Sequence, residues 1–294
     1  MQYLIINIAI FLYAITGILG KLVSAPSSAI VFSRLVLSVV GQGIILACKL
    51  DGENRAALPN KKDFFLCAIA GFILLIHNLS FFESVNISGV TVAVYGFCTY
   101  PLIVALLEPL IYREKFASKM IIAALFSFTG VGLVIPISYN SNWNTSLIGG
   151  SLGILSGLSY AGIILINRYL IKKNSAAIIA LCEAFIASIL VAPFINFLDY
   201  YTLSYQSYIL LIILGLGATT IADFLYIKSL SKLTGIVASL LGSLESIYAL
   251  ILSFLFLGDS ISLREISGGL IVVLSVLFGT GAFDNKWRKN QLLA

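Results

Sequence analysis

The sequence predicts an all-α integral membrane protein, with ten transmembrane helices arranged as two inverted five-helix repeats. Three observations lead there. The residues A, V, I, L, M, F, W, Y and C make up 60% of the 294 positions against 11% charged, and the mean hydropathy is +1.04. A soluble domain of this length must cover its surface with polar groups, and there are too few here, whereas lipid favours an apolar exterior. Apolar runs of about twenty residues recur along the chain, which soluble folds rarely contain. The basic residues, finally, cluster in alternate connectors.

The spans are expected at roughly 3–23, 28–48, 64–83, 89–111, 119–138, 147–171, 175–198, 206–227, 235–257 and 266–283. At a rise of about 1.5 Å per residue each approaches the length needed to cross a hydrocarbon core. The connectors are short and polar. The longest, from Leu50 to Asp63, carries Asp51-Gly52-Glu53-Asn54-Arg55 and Pro59-Asn60-Lys61-Lys62-Asp63, while Tyr139 to Ser146 includes Trp143, a residue suited to interfacial depth. None has room for a soluble catalytic or nucleotide-binding domain. The first apolar run precedes Ser24-Ala25-Pro26-Ser27-Ser28-Ala29, which resembles a cleavage region. It lacks a basic n-region and exceeds a normal h-region, so a retained first helix is expected.

Charge placement tests the count. With the amino terminus in the cytoplasm, 15 of the 18 Lys and Arg fall inside, Lys21 and Arg264 fall outside, and Arg34 lies within a helix. A missed or extra helix would scramble that asymmetry. The expected location is a cell membrane, the bacterial inner membrane, with both termini cytoplasmic. The basic residues form no stripe that could track phosphates, so nucleic acid is not expected as a partner. Cys48, Cys67, Cys98 and Cys182 lack CxxC spacing and read as small buried hydrophobes, and no metal or cofactor is expected.

The halves resemble one another. An offset of 145 sets Gly89–Lys115 against Thr234–Ser260, Glu114 against Asp259, and the stretch from Asn78 to Glu83 against Asp223 to Lys228. Five helices separate equivalent positions, so the halves are inverted, an arrangement that gives a transporter two related packings, one open to each side. The expected division is a first repeat over 1–138, a second over 147–283 and a cytoplasmic tail over 284–294, with a solvent-accessible cavity between the repeats.

At these residues the chain resembles the drug/metabolite transporter superfamily, EamA type. The resemblance covers nearly the whole chain in two copies. It rests on Pro101, on Arg113-Glu114-Lys115 and on Phe128-Thr129-Gly130-Val131-Gly132 in the first half. In the second it rests on Leu244-Glu245, Gly258-Asp259 and Gly268-Gly269. Two positions depart from the family pattern: Ser246 stands where a proline often follows the residue matching Glu245, and Asp259 stands for the customary glutamate. The resemblance implies architecture more than cargo.

Charges inside hydrocarbon are costly and usually face protein or a water-filled cavity. Glu245 leads the candidates because it is expected near the middle of an apolar helix, where it can bind a cationic group, accept a proton, or pair with Arg34 or Arg168. Ser246 and Tyr248 offer neighbouring hydroxyls. Glu183 and Arg34 occupy corresponding helices and read as a structural charge pair. Asn78 and Asp223 are cavity candidates through their matching repeat positions. His77, the sole histidine, reads either as a pH-responsive group or as a hydrogen-bonded packing residue. Tyr13, Tyr95, Tyr100 and Tyr160 can hold an organic solute by aromatic contact, with packing as the alternative. Pro101 is the expected hinge of the fourth helix and Pro136 a second weak point near the end of the fifth.

Three functional classes follow. The first is a secondary transporter moving a small polar organic metabolite, such as an amino acid or amine, by alternating access with optional proton coupling. No Walker loop is present to supply another energy source. The others are an intramembrane enzyme, which one histidine and dispersed acids support poorly, and a passive pore or structural membrane protein. Partners are an organic solute and membrane lipid, with a second copy of the chain held open.

Overall fold

The computed structural model describes residues 1–48, 59–135, 143–258 and 261–281. Twelve α-helices carry them: α1 (Gln2–Leu22), α2 (Ser27–Ala47), α3 (Lys61–Phe97), α4 (Tyr100–Tyr112), α5 (Ser118–Val134), α6 (Trp143–Leu170), α7 (Ala176–Val191), α8 (Tyr205–Ile212), α9 (Thr220–Ser229), α10 (Gly235–Gly242), α11 (Glu245–Leu257) and α12 (Leu263–Gly279). A π-helical turn, Ile213–Thr219, joins α8 to α9, and two 3₁₀ turns, Ala192–Phe194 and Phe197–Thr202, follow α7. No strand occurs among the described residues.

Eight helical stretches among the described residues are long and apolar enough to cross a membrane. Their outward faces explain why lipid is required. Leu4, Phe72, Phe126, Phe254, Leu255 and Leu274 are all exposed, a density of bare apolar side chains that water would not tolerate. This is an all-α, multi-pass membrane protein. Two lysines near helix ends, Lys62 and Lys173, lie over the Tyr169 ring, at 5.8 and 5.3 Å from its centroid.

Several spans expected to be uniform are irregular. In α3 the backbone leaves the helix at Gly89, whose φ of 82° is open to glycine and strained for other residues. After Phe97 the turn tightens at Cys98 and Thr99, and α4 follows from Tyr100. Thr99 keeps helical dihedrals, so Pro101 sits within the continuous stretch Val92–Tyr112, beside a tightened turn where its missing N–H loosens the helical ladder. The proline inside α4 is Pro109. In the second half the turn tightens at Ser243 and Leu244, between α10 and α11, while both residues keep helical dihedrals, so Glu245 lies near the middle of the apolar helical stretch Gly235–Phe256, as expected. Pro136 and Asp259 lie outside the described residues.

The chain forms two compact units, each drawn from both halves of the sequence. The first comprises 1–75 and 166–231, and the second 76–165 and 232–294. In the first, α2 packs on α7, and α1 packs on α9 and the π-helical turn. Glycine permits one close approach there: a Cβ on Gly41 would lie 2.5 Å from Thr220 Oγ1. In the second unit α5 crosses α12 with the two backbones in contact, while α4 packs on α10 and α5.

Candidate functional site

Each unit holds its own polar cluster. In the first, the faces of α1, α2, α7 and α9 meet around buried charges. Tyr13 OH donates to Asp223 Oδ1 at 2.8 Å, and Arg34 Nε donates to Thr219 Oγ1 at 3.1 Å. Gln42 Nε2 donates to the Thr220 carbonyl at 2.9 Å, and the Thr220 hydroxyl donates to the Gly215 carbonyl at 2.8 Å. In the π-helical turn the Gly215 carbonyl accepts both the Thr220 amide and the Thr220 hydroxyl. Glu183, on α7, accepts from Asn167 Nδ2 at 3.4 Å. Asp223 lies within electrostatic reach of both Arg34 and Glu183. Arg168, counted above with the inner connectors, is 2% exposed in the last turn of α6.

In the second unit the tightened turns themselves meet. Tyr100, at the start of α4, places its hydroxyl where a Cβ on Gly242 would stand, so the α3–α4 turn faces the end of α10. The Glu245 carboxylate acts electrostatically on Cys98, inside the α3–α4 turn. Glu245 directly follows the tightened turn between α10 and α11. Ser246 Oγ spans that turn by donating to the Ser243 carbonyl at 2.9 Å. Tyr248 is half-buried one turn on.

An aromatic cluster stands beside these turns. The His77 ring lies 5.4 Å from Phe97 and 5.3 Å from Tyr160, and Tyr100 lies 4.9 Å from Phe97 and 5.2 Å from Tyr160. His77 Nδ1 and the Ser156 hydroxyl are 2.8 Å apart. His77, Phe97 and Tyr160 are each only half-buried, so the cluster offers ring faces and a polar imidazole edge to its surroundings. Tyr95 does not join it. That ring stacks on Phe128 at 4.6 Å and fills the space beside Gly132. Asn78 follows His77 on α3 and is half-buried.

The candidate residues thus divide. Tyr13, Arg34, Glu183 and Asp223 belong to the first unit, and His77, Asn78, Tyr95, Tyr100, Pro101, Tyr160, Glu245, Ser246 and Tyr248 to the second. Sequence reasoning passed over Glu108. It is 1% exposed on α4, and its two oxygens accept the Gly235 and Ile236 amides at the start of α10, the latter at 2.7 Å. With Thr234 Oγ1 accepting from Val237 N at 3.4 Å, the first three orphan amides of α10 are all satisfied. An acidic residue inside the apolar run 89–111 was the available signal. Phe97, Ser156 and Asn167 carried none that distinguished them from ordinary packing residues.

Ionisable groups beside irregular turns in its helices, carried by an all-α multi-pass chain, are features that membrane transport proteins use. The comparisons agree. The EamA-like transporter family matches residues 1–135 and again 147–280, and the chain belongs to that family. It is 25% identical over 268 residues to YxxF, an uncharacterised transporter of Bacillus subtilis, covering 90% of this chain and 85% of that one. It is also 25% identical over 276 residues to the uncharacterised transporter YwfM of the same organism, covering 93% and 92%. An uncharacterised transporter of Archaeoglobus fulgidus is 25% identical over 208 residues, covering 69% of this chain and 70% of that one. A solved crystal structure shares the fold with a TM-score of 0.78 at 14% identity, over 96% of this chain and 98% of that chain. The role is transport rather than catalysis. Among the described residues, no group of three or more His, Cys, Asp and Glu side chains is arranged to hold a metal.

Proposed function

We propose that the chain is a secondary transporter of a small polar organic metabolite, an amino acid or amine, working by alternating access in the bacterial inner membrane. The observation that carries this reading is the meeting of the two tightened turns in the second unit, with Glu245 at one and Tyr100 at the other. An acidic side chain at the middle of an apolar helical stretch is costly unless it faces protein or a water-filled cavity, which suits a solute site. The His77, Phe97 and Tyr160 rings beside it suit an ammonium or a small organic group through cation–π and apolar contact. Glu245 supplies the charge for an amino group.

Ten spans in two inverted repeats are part of the proposal. Helices α4 and α11 start 145 positions apart and each contains 13 residues, and α5 and α12 repeat at the same offset with 17 each. Each thirteen-residue helix ends in a left-handed residue, Arg113 at φ 55° and Gly258 at φ 73°. Gly89 and Thr234 stand at the same offset before the short segments that precede the tightened turns. Together with the inside bias of the basic residues, this supports cytoplasmic termini.

The test uses Glu245→Gln and Tyr160→Ala in sealed proteoliposomes, with a panel of common amino acids and small amines as probes. Glu245→Gln removes a charge from the site, and the expected loss in kcat/KM is roughly tenfold to a thousandfold for an amine-bearing solute. Tyr160→Ala is expected to raise KM by roughly tenfold. Unchanged kinetics in both variants would contradict the assignment.

A further inference from the structure

We infer that Glu183 and Asn167, in the first unit, form a proton-binding site: the carboxyl of Glu183 holds a transferable proton shared with the Asn167 side-chain oxygen. The inference rests on the transport reading for its use, but the site is argued from its own geometry. Glu183 is 5% exposed in the span Ala176–Phe194, and Asn167 is 3% exposed in the span Thr145–Leu170. One contact joins them, Asn167 Nδ2 donating to Glu183 Oε2 at 3.4 Å. The other oxygen of each, Glu183 Oε1 and Asn167 Oδ1, is fully buried with no hydrogen-bond partner among the described residues. Both are acceptors, so neither can satisfy the other while the carboxyl is ionised.

A single proton removes both defects. An un-ionised carboxyl and a primary amide close a ring of two hydrogen bonds: the amide N–H donates to one carboxyl oxygen, and the carboxyl O–H donates to the amide oxygen. The amide half of that ring is already made. The proton on Glu183 Oε1 supplies the other half and leaves no buried carboxylate oxygen bare. A metal cation fits less well, because it needs several oxygen ligands and this pair offers two.

The neighbouring groups point the same way. From α9, the half-buried Asp223 acts on the buried Glu183 through its charge, and a second carboxylate in the same bundle disfavours ionisation of the first. Asp223 has the partners that favour charge: the Tyr13 hydroxyl from α1 and the Arg34 guanidinium from α2. Glu183 has only a neutral amide from α6. The Cys67 thiol from α3 and the Cys182 thiol on α7 complete its ionisable surroundings, while Asp63, further along α3, is engaged by Asn174 Nδ2 at 3.2 Å. The division of labour is therefore a charged Asp223 and a protonated Glu183. Release of the proton leaves a second carboxylate in the bundle, which favours rearrangement toward water. That is the property a coupling site needs.

Two readouts test this. Infrared difference spectra of the full chain in lipid, taken between mildly acidic and alkaline pH, should show a protonated-carboxyl band that Glu183→Gln abolishes. Glutamine preserves the ring with Asn167, so this variant should fold. Asn167→Ala keeps the acid and removes its amide partner, so the band should shift; this arm serves even if Glu183→Gln fails to assemble. In pyranine-loaded proteoliposomes, challenge with each common amino acid and small amine should move protons in the wild type and not in Glu183→Gln. A band unchanged in both variants would overturn the proton site. Solute-evoked proton movement that survives Glu183→Gln would overturn its coupling role. Absence of counterflow in the wild type would count against the transport reading instead, while the infrared result would still decide the site.

Discussion

At the scale of single residues, stability rests on polar groups that are satisfied individually. Glu108 caps α10 from a neighbouring helix, and Gly235 leaves it room, since a Cβ there would lie 2.7 Å from Glu108 Oε1. Glu108→Ala strands two amides at a buried helix start, and the expected cost is roughly 2–4 kcal/mol, read as a lower melting temperature in detergent. Gly235→Ala should cost less, about 1–2 kcal/mol, because the carboxylate tip can shift. Equal stability of both variants and wild type would remove Glu108 as a cap. Tyr200 pins the connector after α7 to α2: its hydroxyl donates to the Ala29 carbonyl at 2.9 Å and lies 2.8 Å from Ser33 Oγ. Burial holds this phenol above its ordinary value of 10.0, with the Ser33 hydrogen bond opposing. The fold therefore binds that proton more tightly than the unfolded chain does. Its contribution is full below about pH 10 and is lost as pH rises through the shifted value. In Tyr200→Phe the alkaline loss of stability should be shallower than in wild type, and an identical alkaline limb would contradict the assignment. Such contacts were not legible beforehand. Glu108 stood out as a charge in an apolar run, but its partner is more than a hundred positions away, and nothing local announces a cap supplied by another helix.

At the scale of helices, hydropathy located the spans and missed their tightened turns. Apolar character runs unbroken through Cys98 and through Ser243-Leu244, because glycine, serine and threonine are ordinary in membrane helices and lower hydropathy little. The irregularity at Tyr100-Pro101 was half legible. Proline marked the place, and what hydropathy did not show was the tightened turn at Cys98 and Thr99 just before it. Glu245 was found for the right reason, a charge in an apolar run, and it lies at the middle of the stretch Gly235–Phe256, just after the tightened turn at Ser243 and Leu244. Glycine placement was informative where two helices touch. On α12, a Cβ on Gly268 would lie 2.6 Å from the Gly130 carbonyl oxygen and 2.7 Å from Val134 N, both backbone atoms that cannot swing aside. Gly268→Ala should therefore cost roughly 1–3 kcal/mol, whereas Gly17→Ala, with nothing within 4 Å of the added atom, should be neutral or slightly stabilising. Melting temperatures of the two variants check this, and a neutral Gly268→Ala would show that the α5–α12 crossing is looser than described.

At the scale of the whole molecule, composition, apolar runs and charge asymmetry made the membrane class plain, because these are summed over many residues and tolerate local error, while the family was read from the motif resemblance. The assignment of side chains to compact units was not legible, since each unit takes segments from both halves of the chain. Asn78 and Asp223, paired by the repeat offset, consequently stand in different units. The proposed topology is checked by single-cysteine labelling in intact cells. A cysteine at the exposed Tyr201 should react with a membrane-impermeant maleimide, and one at the exposed Lys172 should be protected until the cells are opened. The central claim, that the chain moves a small organic solute by alternating access, is tested most directly by counterflow. Proteoliposomes of the purified chain, loaded with each common amino acid or small amine in turn, would receive a trace of the same labelled solute outside. The account predicts, for at least one of these solutes, transient and saturable accumulation of label that Glu245→Gln diminishes. Uptake of every solute that is no faster than in protein-free vesicles, or that rises linearly without saturation as through a pore, would contradict it.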